Sequence, residues 1–600
     1  MVLQRWNSLT AMFFDQAEKH ATKPFLHFKE NNAWKSWSWG ETADRIARLA
    51  ASLKEIGVEP GDRVVLVSEN RPDWFIADIA IMAAGAVSVP TYTTYTERDY
   101  MHILENSGAK AVIISTRALA RNVLQAAHEI ASVTDALVME DPGLGQQINC
   151  AVHLYDDLIN NVTPNLAGLT QEVAKVTRDD IACLIYTSGT GGLPKGVKLH
   201  HGSILHNAEG AAQVIKPIGL DNNAFLSFLP LSHAYEHTAG QFLPIAIGAT
   251  IWYAENIEKL AANMEEAKPT IMVVVPRLFE MLRTRLMRQV KQDGGLKAKL
   301  FDRTIEIGTK KAKGEPLSFL DALINPLLTV LVRKKVQQKF GGRLKALVAG
   351  GAPLPPDVGF FFASLGLPLL QGYGQTESGP VIAVNPPGAP KMHTVGKVLD
   401  ATEVKIADDG EIIVRGELVM KGYWEDDAAT KRALVDGWLH TGDIGRFDKD
   451  GYLEITDRKK DIIVNDKGEN IAPQRIEGLL SLEEEIGQAM IIGDKRPYLV
   501  GLIVPDAIWL AAWARQHNKT HKLEELVDDK DLHAALSKAV NNVNKRVSNL
   551  EKVRRFIIAS EAFTIENKQM TPTLKVRRHA VREIYGDQME ALYGPAKKAS

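Results

Sequence analysis

The run Tyr186-Thr-Ser-Gly-Thr-Gly-Gly-Leu-Pro-Lys-Gly196 gathers glycines and hydroxyls directly behind an apolar stretch, Ala182 to Tyr186. Glycine has no Cβ, so a loop holding Gly189, Gly191 and Gly192 can turn successive backbone N–H groups toward an anion without obstruction. Thr187, Ser188 and Thr190 add hydroxyl donors, and Lys195 adds a positive charge at the exit. The run is not a Walker A loop, because its lysine precedes the glycine and no Ser or Thr follows. A bare glycine-rich turn is common; one this dense in hydroxyls with a Pro-Lys-Gly exit is not.

More segments of mixed glycine, aromatic and charged character follow in order: Leu229-Pro-Leu-Ser-His233, Ala349-Gly-Gly-Ala-Pro-Leu354, Gln371-Gly-Tyr-Gly-Gln-Thr-Glu377, Trp438-Leu-His-Thr-Gly-Asp443, Asp457-Arg458 and Pro572-Thr-Leu-Lys-Val576. Singly, Glu377, Asp443 or Lys575 is one of 144 charged side chains, and such groups are mostly solvated surface. As an ordered set spanning about residues 25 to 585 they resemble the adenylate-forming superfamily. That group includes acyl-CoA synthetases, luciferases and peptide-synthetase adenylation domains, and the resemblance is to its long-chain fatty acyl-CoA synthetases. One departure is visible: the family usually carries a second Thr where this chain has Gly191, so one hydroxyl contact to the phosphates would be missing or supplied elsewhere.

The resemblance implies roles. Thr187, Ser188, Gly189, Thr190, Gly192 and Lys195 would cradle ATP phosphates. Gly351 and Ala352 would contact adenine, and Gly372, Tyr373 and Gly374 would carry the aromatic packed on it. Thr376 would meet a phosphate and Glu377 would hold Mg²⁺, a hard cation that takes carboxylate and phosphate oxygens. Asp443 and Arg458 would bind the ribose, a task an acceptor-only carboxylate suits. Lys575 would serve the adenylation step. His233 would sit beside the reacting carboxylate, with a satisfied core histidine as the equal alternative. The implied chemistry is attack of a fatty-acid carboxylate on ATP, giving an acyl adenylate and pyrophosphate, then transfer to CoA. No side-chain nucleophile is needed, since the substrate carboxylate attacks directly. An acyl carrier protein as acceptor, a luciferase-type oxygenase, and a nucleotide-binding or scaffold protein without catalysis are the alternatives.

Composition sets the frame. At 600 residues the chain exceeds one ordinary core, and 45% apolar with 24% charged residues is the make-up of a folded protein. With 71 basic and 73 acidic residues, global charge gives no sign of a nucleic-acid partner. Two cysteines cannot make a disulfide framework, and Cys183 in an apolar run reads as a buried structural thiol in a reducing, cytoplasmic setting. Leu317 to Val332 covers sixteen residues broken by Asp321, Asn325 and Pro326, short of the roughly 20 a spanning helix needs. We read it as a helix packed into a core, with an interfacial segment and peripheral membrane contact as the alternative.

The elements that must position these residues follow from periodicity. Arg63 to Ser68, Ala111 to Ser115, Ala182 to Tyr186 and Thr270 to Val275 read as buried strands. They alternate with helical stretches such as Thr42 to Ile56 and Trp74 to Ala84, which predicts an α/β fold with a largely parallel sheet. Residues 277–340 are helical and basic in pattern. Asp409-Gly410 and Asp450-Gly451 predict hairpins, and Asp457 to Asp461 reads as a solvated turn. The predicted class is α/β: a large N-terminal domain of stacked αβ sheets with a small β-barrel-like subdomain (residues 1–457), then a smaller mobile α+β domain (residues 458–600).

Overall fold

The computed structural model describes residues 5–143, 148–187, 193–459, 461–467, 469–571 and 574–594. Ser188, Gly189, Thr190, Gly191 and Gly192 of the glycine-rich loop lie outside the described residues, as do Lys460, Gly468, Pro572 and Thr573.

Among the described residues the first two-thirds of the chain builds a nine-stranded and a seven-stranded sheet. In the seven-stranded sheet the parallel strands Arg63–Val67, Val87–Thr91 and Ala109–Ile114 lie at the centre, and Ile181–Thr187 runs parallel beside Val87–Thr91. In the nine-stranded sheet Ala224–Ser227, Thr250–Tyr253, Ile271–Val274, Ala346–Ala349 and Leu369–Tyr373 are parallel. Strands buried on both faces read as continuous Val/Ile/Leu runs, as Arg63–Val67 and Ile271–Val274 do.

Helices fill the space between the sheets. One contiguous core joins Leu66, Ile113 and Ile185 of one sheet to Leu26, Ile251 and Tyr253 of the other through Leu9–His20, Trp39–Glu55, Pro72–Ala83 and His201–Ile215. Every residue of Pro72–Ala83 except Asp73 is buried, as a helix apolar almost all round requires. Its Asp78 accepts hydrogen bonds from Ser88 and Gln241 and pairs with His237 at 2.8 Å, which satisfies a charge far from water. His237 is thereby a structural histidine. Cys183 is buried beneath the same layer.

Both DG hairpins form. Glu403–Ile406 pairs with Glu411–Arg415, and Trp438–Phe447 with Leu453–Arg458, within a five-stranded sheet. The sequence expectation of a turn over Asp457 to Asp461 is corrected at its start. The strand runs on to Arg458, which lies opposite Asp443, because pairing with Trp438–Phe447 gives the charged residues a ladder to join. From residue 463 onward, core side chains pack around a three-stranded sheet, Ile486–Ile492, Leu499–Pro505 and Val553–Ile558.

The basic helix Pro276–Asp293 reaches across to this last part. Arg288 pairs with Asp506 at 2.5 Å and Lys291 with Glu484 at 2.9 Å, while Arg277 donates to the Gly487 carbonyl at 2.6 Å. A second correction concerns Leu317 to Val332. It is helical, but not a core helix: Phe319, Leu320, Leu323, Leu327, Val330 and Leu331 are exposed, while Leu328 is buried. Apolar content cannot distinguish a core helix from one that presents an apolar face outward. Among the described residues no helix is long and apolar enough to cross a membrane.

Candidate active site

The candidate residues converge on one cleft of about 2260 Å³, bordered by both large sheets, the five-stranded sheet and the C-terminal segment. Thr187, Lys195, His233, Gly351, Ala352, Gly372, Tyr373, Gly374, Thr376, Glu377, Asp443, Arg458 and Lys575 all line it.

The strands on either side of the glycine-rich segment pair with each other. Ile181–Thr187 pairs antiparallel with Lys195–His200, and Thr187 lies opposite Lys195. The Lys195 ammonium is held at 2.8 Å from Asp426 and 5.5 Å over the Tyr423 ring, so its charge is already partnered at the cleft wall.

The turn after Ala346–Ala349 needs its glycines for separate reasons. A Cβ on Gly350 would come within 2.8 Å of the Tyr235 ring, and Gly351 has φ +80°, a conformation side chains rarely adopt. Tyr235 is locked there by donating to the Val348 carbonyl at 2.8 Å. At Gly374 a Cβ would lie 1.8 Å from the Pro380 carbonyl oxygen, so the Tyr373-to-Thr376 bend closes only with glycine.

Asp443 anchors the cleft's polar wall. Tyr373 donates its hydroxyl to one carboxylate oxygen at 2.8 Å, and Arg458 Nε stands 3.2 Å from the other. Burial pushes the Asp443 carboxyl above its ordinary value, while Arg458, the Tyr373 hydrogen bond and Lys575 oppose that rise. Lys575 is tied to Thr571 by two hydrogen bonds: Thr571 N–H donates to the Lys575 carbonyl at 2.8 Å, and Lys575 N–H to Thr571 Oγ1 at 3.1 Å. Burial, then repulsion from Arg458, lowers its ammonium to about 8 against the pull of Asp443.

His233 belongs to this constellation. Desolvation, then the Lys575 charge, lowers its pKa to about 3, so the ring is neutral. Its Nδ1 accepts from Tyr235 N–H at 3.1 Å, which places the ring proton on Nε2, free to donate into the cleft. Asn70 fixes the preceding loop by donating to the Leu229 carbonyl at 2.6 Å and accepting from Leu231 N–H at 3.0 Å.

Glu377 sits on the turn Thr376–Ser378, where Tyr423 donates its hydroxyl to Oε1 at 2.8 Å. That leaves Oε2 for a cation. Among the described residues no group of three or more His, Cys, Asp or Glu side chains could hold a metal ion. A carboxylate oxygen is a ligand that Mg²⁺ accepts, with waters and substrate phosphates as its other ligands. Away from these polar groups the lining includes Val214, Ile215, Ala239, Leu243, Ile271 and Val273. Ile215, Leu243 and Ile271 belong to one apolar cluster.

Asn70, Tyr423 and Asp426 escaped the sequence reading. Tyr423 is 46 residues from Glu377 and Asn70 is 159 from Leu229, and neither stands in a patterned segment. Residues 465–467 and 469 do not line the cleft in this arrangement; Asn465 Oδ1 closes their turn by accepting from Lys467 and Glu469 N–H.

The AMP-binding enzyme family matches residues 13–424, and the AMP-binding enzyme C-terminal domain matches residues 460–597. The chain belongs to the AMP-binding enzymes. This AMP-binding enzyme is 33% identical over 593 residues to the long-chain-fatty-acid–CoA ligase FadD15 of Mycobacterium tuberculosis, covering 98% of the chain and 97% of that relative. It is 31% identical to long-chain-fatty-acid–CoA ligase 6 of Mus musculus, covering 95% and 84% respectively. Among solved structures, the adenylation domain of a carboxylate reductase from Mycobacterium chelonae superposes with TM-score 0.76 at 21% identity, covering 99% of this chain and 92% of that one. The anthranilate CoA ligase AuaEII in complex with anthranoyl-AMP gives 0.73 at 19%, with 98% and 99% covered. These two likenesses establish the fold.

Proposed function

We propose that this AMP-binding enzyme is a long-chain fatty acid–CoA ligase, activating the acid with ATP as an acyl adenylate and passing the acyl group to CoA. The observation that carries the reading is the placing of Lys575 within electrostatic reach of both Asp443 and His233, in a cleft with an apolar wall. A carboxylate and a triphosphate repel each other, so their reaction needs positive charge and oriented N–H donors where charge builds up. Lys575 supplies an ammonium at the junction of ribose and acyl sites, and neutral His233 supplies an Nε2–H donor for the carboxylate or the developing adenylate. Asp443 and Arg458 hold the ribose, and the loop from Thr187 to Gly192 with Thr376 holds the phosphates. The Val214 and Ile215 side chains across from Ile271 suit an alkyl chain. The 33% identity to a ligase named for long-chain acids and CoA supports CoA over an acyl carrier protein.

Bound to Glu377, Mg²⁺ would offset phosphate charge. Tyr423 keeps that carboxylate aimed by occupying Oε1. Tyr423→Phe is expected to raise the Mg²⁺ concentration for half-maximal pyrophosphate release by roughly 10- to 100-fold, about one hydrogen bond to a charged group. A magnesium titration at saturating ATP reads it, and an unchanged midpoint would remove Tyr423 from this role.

The unit boundary is proposed at 457/458. Residues 458–600 would turn about it between half-reactions, withdrawing Lys575 and bringing the Asn465 to Asn470 loop to the thiol channel. Small-angle scattering with an acyl-adenylate analogue and CoA tests this, and an unchanged profile counts against it. The function itself is tested by pyrophosphate release and thioester formation across short to long fatty acids, with and without CoA. CoA-dependent turnover peaking at long chains is expected. Pyrophosphate without thioester would point to a carrier-protein acceptor.

A further inference from the structure

The exposed large apolar side chains of this protein are mostly scattered, but six of them fall within thirteen consecutive residues: Phe319, Leu320, Leu323, Leu327, Val330 and Leu331. Phe319 is 83% and Leu323 67% exposed. They lie on a helical run that continues from Phe319–Leu328 through Thr329–Arg333 to Lys334–Lys339. Spacings of three, four and seven put them on one face.

The charges of the run are arranged around that face in one way. Its only carboxylate, Asp321, is buried inward against Arg303 and stands 3.7 Å from Lys310. Arg333 is also turned in, donating to the Ser364 carbonyl at 2.7 Å and the Asn325 side chain at 2.8 Å. The outward stripe is therefore free of charge. Past its C-terminal end come Lys334, Lys335 and Lys339, all exposed; before its start stand exposed Lys311, at the end of the helix Gly295–Ala312, and exposed Lys313, followed by the exposed carboxylate of Glu315. From residue 316 to 340 no exposed residue is acidic.

We infer that the Phe319-to-Leu331 face is a membrane-docking surface that lies in the plane of an anionic lipid bilayer. An apolar stripe with lysines at both ends fits such a surface, its side chains sinking about 5–10 Å between headgroups while the ammonium groups meet lipid phosphates. At roughly 1.5 Å per residue the stripe is about 18 Å long, which suits lying on a leaflet and not crossing it. A second copy fits less well. With lysines at both ends, a two-fold contact brings ammonium groups together in the parallel and the antiparallel arrangement alike. The inference rests on this surface and not on the acyl substrate.

The test is flotation of the full-length protein with vesicles of equal parts phosphatidylglycerol and phosphatidylcholine, with phosphatidylcholine vesicles alongside. Binding to the anionic vesicles is expected, falling with added salt. Leu323→Glu with Leu327→Glu should lower the partition coefficient by a hundredfold or more, since each change places a charge in the apolar layer, on the order of tenfold each. Lys334→Glu with Lys335→Glu should lower it by about fivefold or more per lysine on anionic vesicles only. Phe319→Trp should blue-shift its emission and be quenched by brominated lipid. Because all these positions are exposed, circular dichroism and turnover of a water-soluble medium-chain acid should stay unchanged, which separates loss of docking from loss of fold. No wild-type flotation, equal flotation of the variants, or an unquenched tryptophan would overturn the proposal. So would a wild-type dimer that the paired Glu variant dissociates without changing flotation; that outcome would make the face a contact between copies.

Discussion

Lys575→Ala is expected to lower acyl-adenylate formation by roughly 10²–10³-fold, the usual consequence of removing one preorganised charge from a reacting oxyanion. It should leave thioester formation from supplied acyl adenylate within about threefold, because only the first half-reaction uses this ammonium. Thr571 and Lys575 are tied by backbone groups and the Thr571 hydroxyl, not by the lysine side chain, so folding is not at stake. Single-turnover pyrophosphate release, run beside thioester formation from synthetic acyl-AMP, separates the two steps. Equal loss in both would show Lys575 to be structural. In the unaltered enzyme the same rate should fall as pH rises through about 8, since the lysine is charged below that value and neutral above it.

Asp443→Asn is expected to act twice. It removes the acceptor proposed for the ribose and leaves Tyr373 and Arg458 facing a neutral amide, raising the KM for ATP by roughly 10- to 100-fold, the scale of a lost charge-assisted hydrogen bond. It also removes the charge that holds the Lys575 pKa up against burial and Arg458. The alkaline limb of kcat/KM for ATP should therefore move to lower pH. The direction matters: with the carboxylate gone, both remaining influences favour neutral lysine, so activity is lost earlier as pH rises. A raised KM with an unmoved alkaline limb would uncouple the two residues. Asp443→Glu, which keeps the charge, should restore the limb but not the KM.

Much of the site was legible because its requirements are local. A glycine where a Cβ would strike Pro380 or Tyr235, or where φ is +80°, leaves a mark at its own position in the chain. The strands Arg63–Val67 and Ile271–Val274 declared themselves by unbroken apolar runs, and the two DG turns by their dihedral demands. What escaped was relational. Nothing near Tyr423 says that its hydroxyl will meet Glu377, and nothing near Asn70 says that it will clamp the loop before His233. His233, open in the sequence between core and site, lines the same cleft as Lys575, 342 positions later in the chain, and burial followed by the Lys575 charge lowers its basicity.

The helix from Phe319 shows the same limit from the other side. The sequence pointed to a helix packed into a core; the helix is there, but its apolar face points outward because Leu328, Asp321 and Arg333 take the inward positions. By itself, then, the sequence determined the α/β class, the order of the cleft-lining segments and the chemistry their side chains can perform, since backbone dihedral preference, periodicity and donor or acceptor character belong to each residue. Only the tertiary structure decided which of those groups share a cleft, which charges are neutralised on arrival and which apolar face stays exposed. Those outcomes depend on distance and desolvation between residues far apart in the chain, and neither quantity exists until the chain has packed.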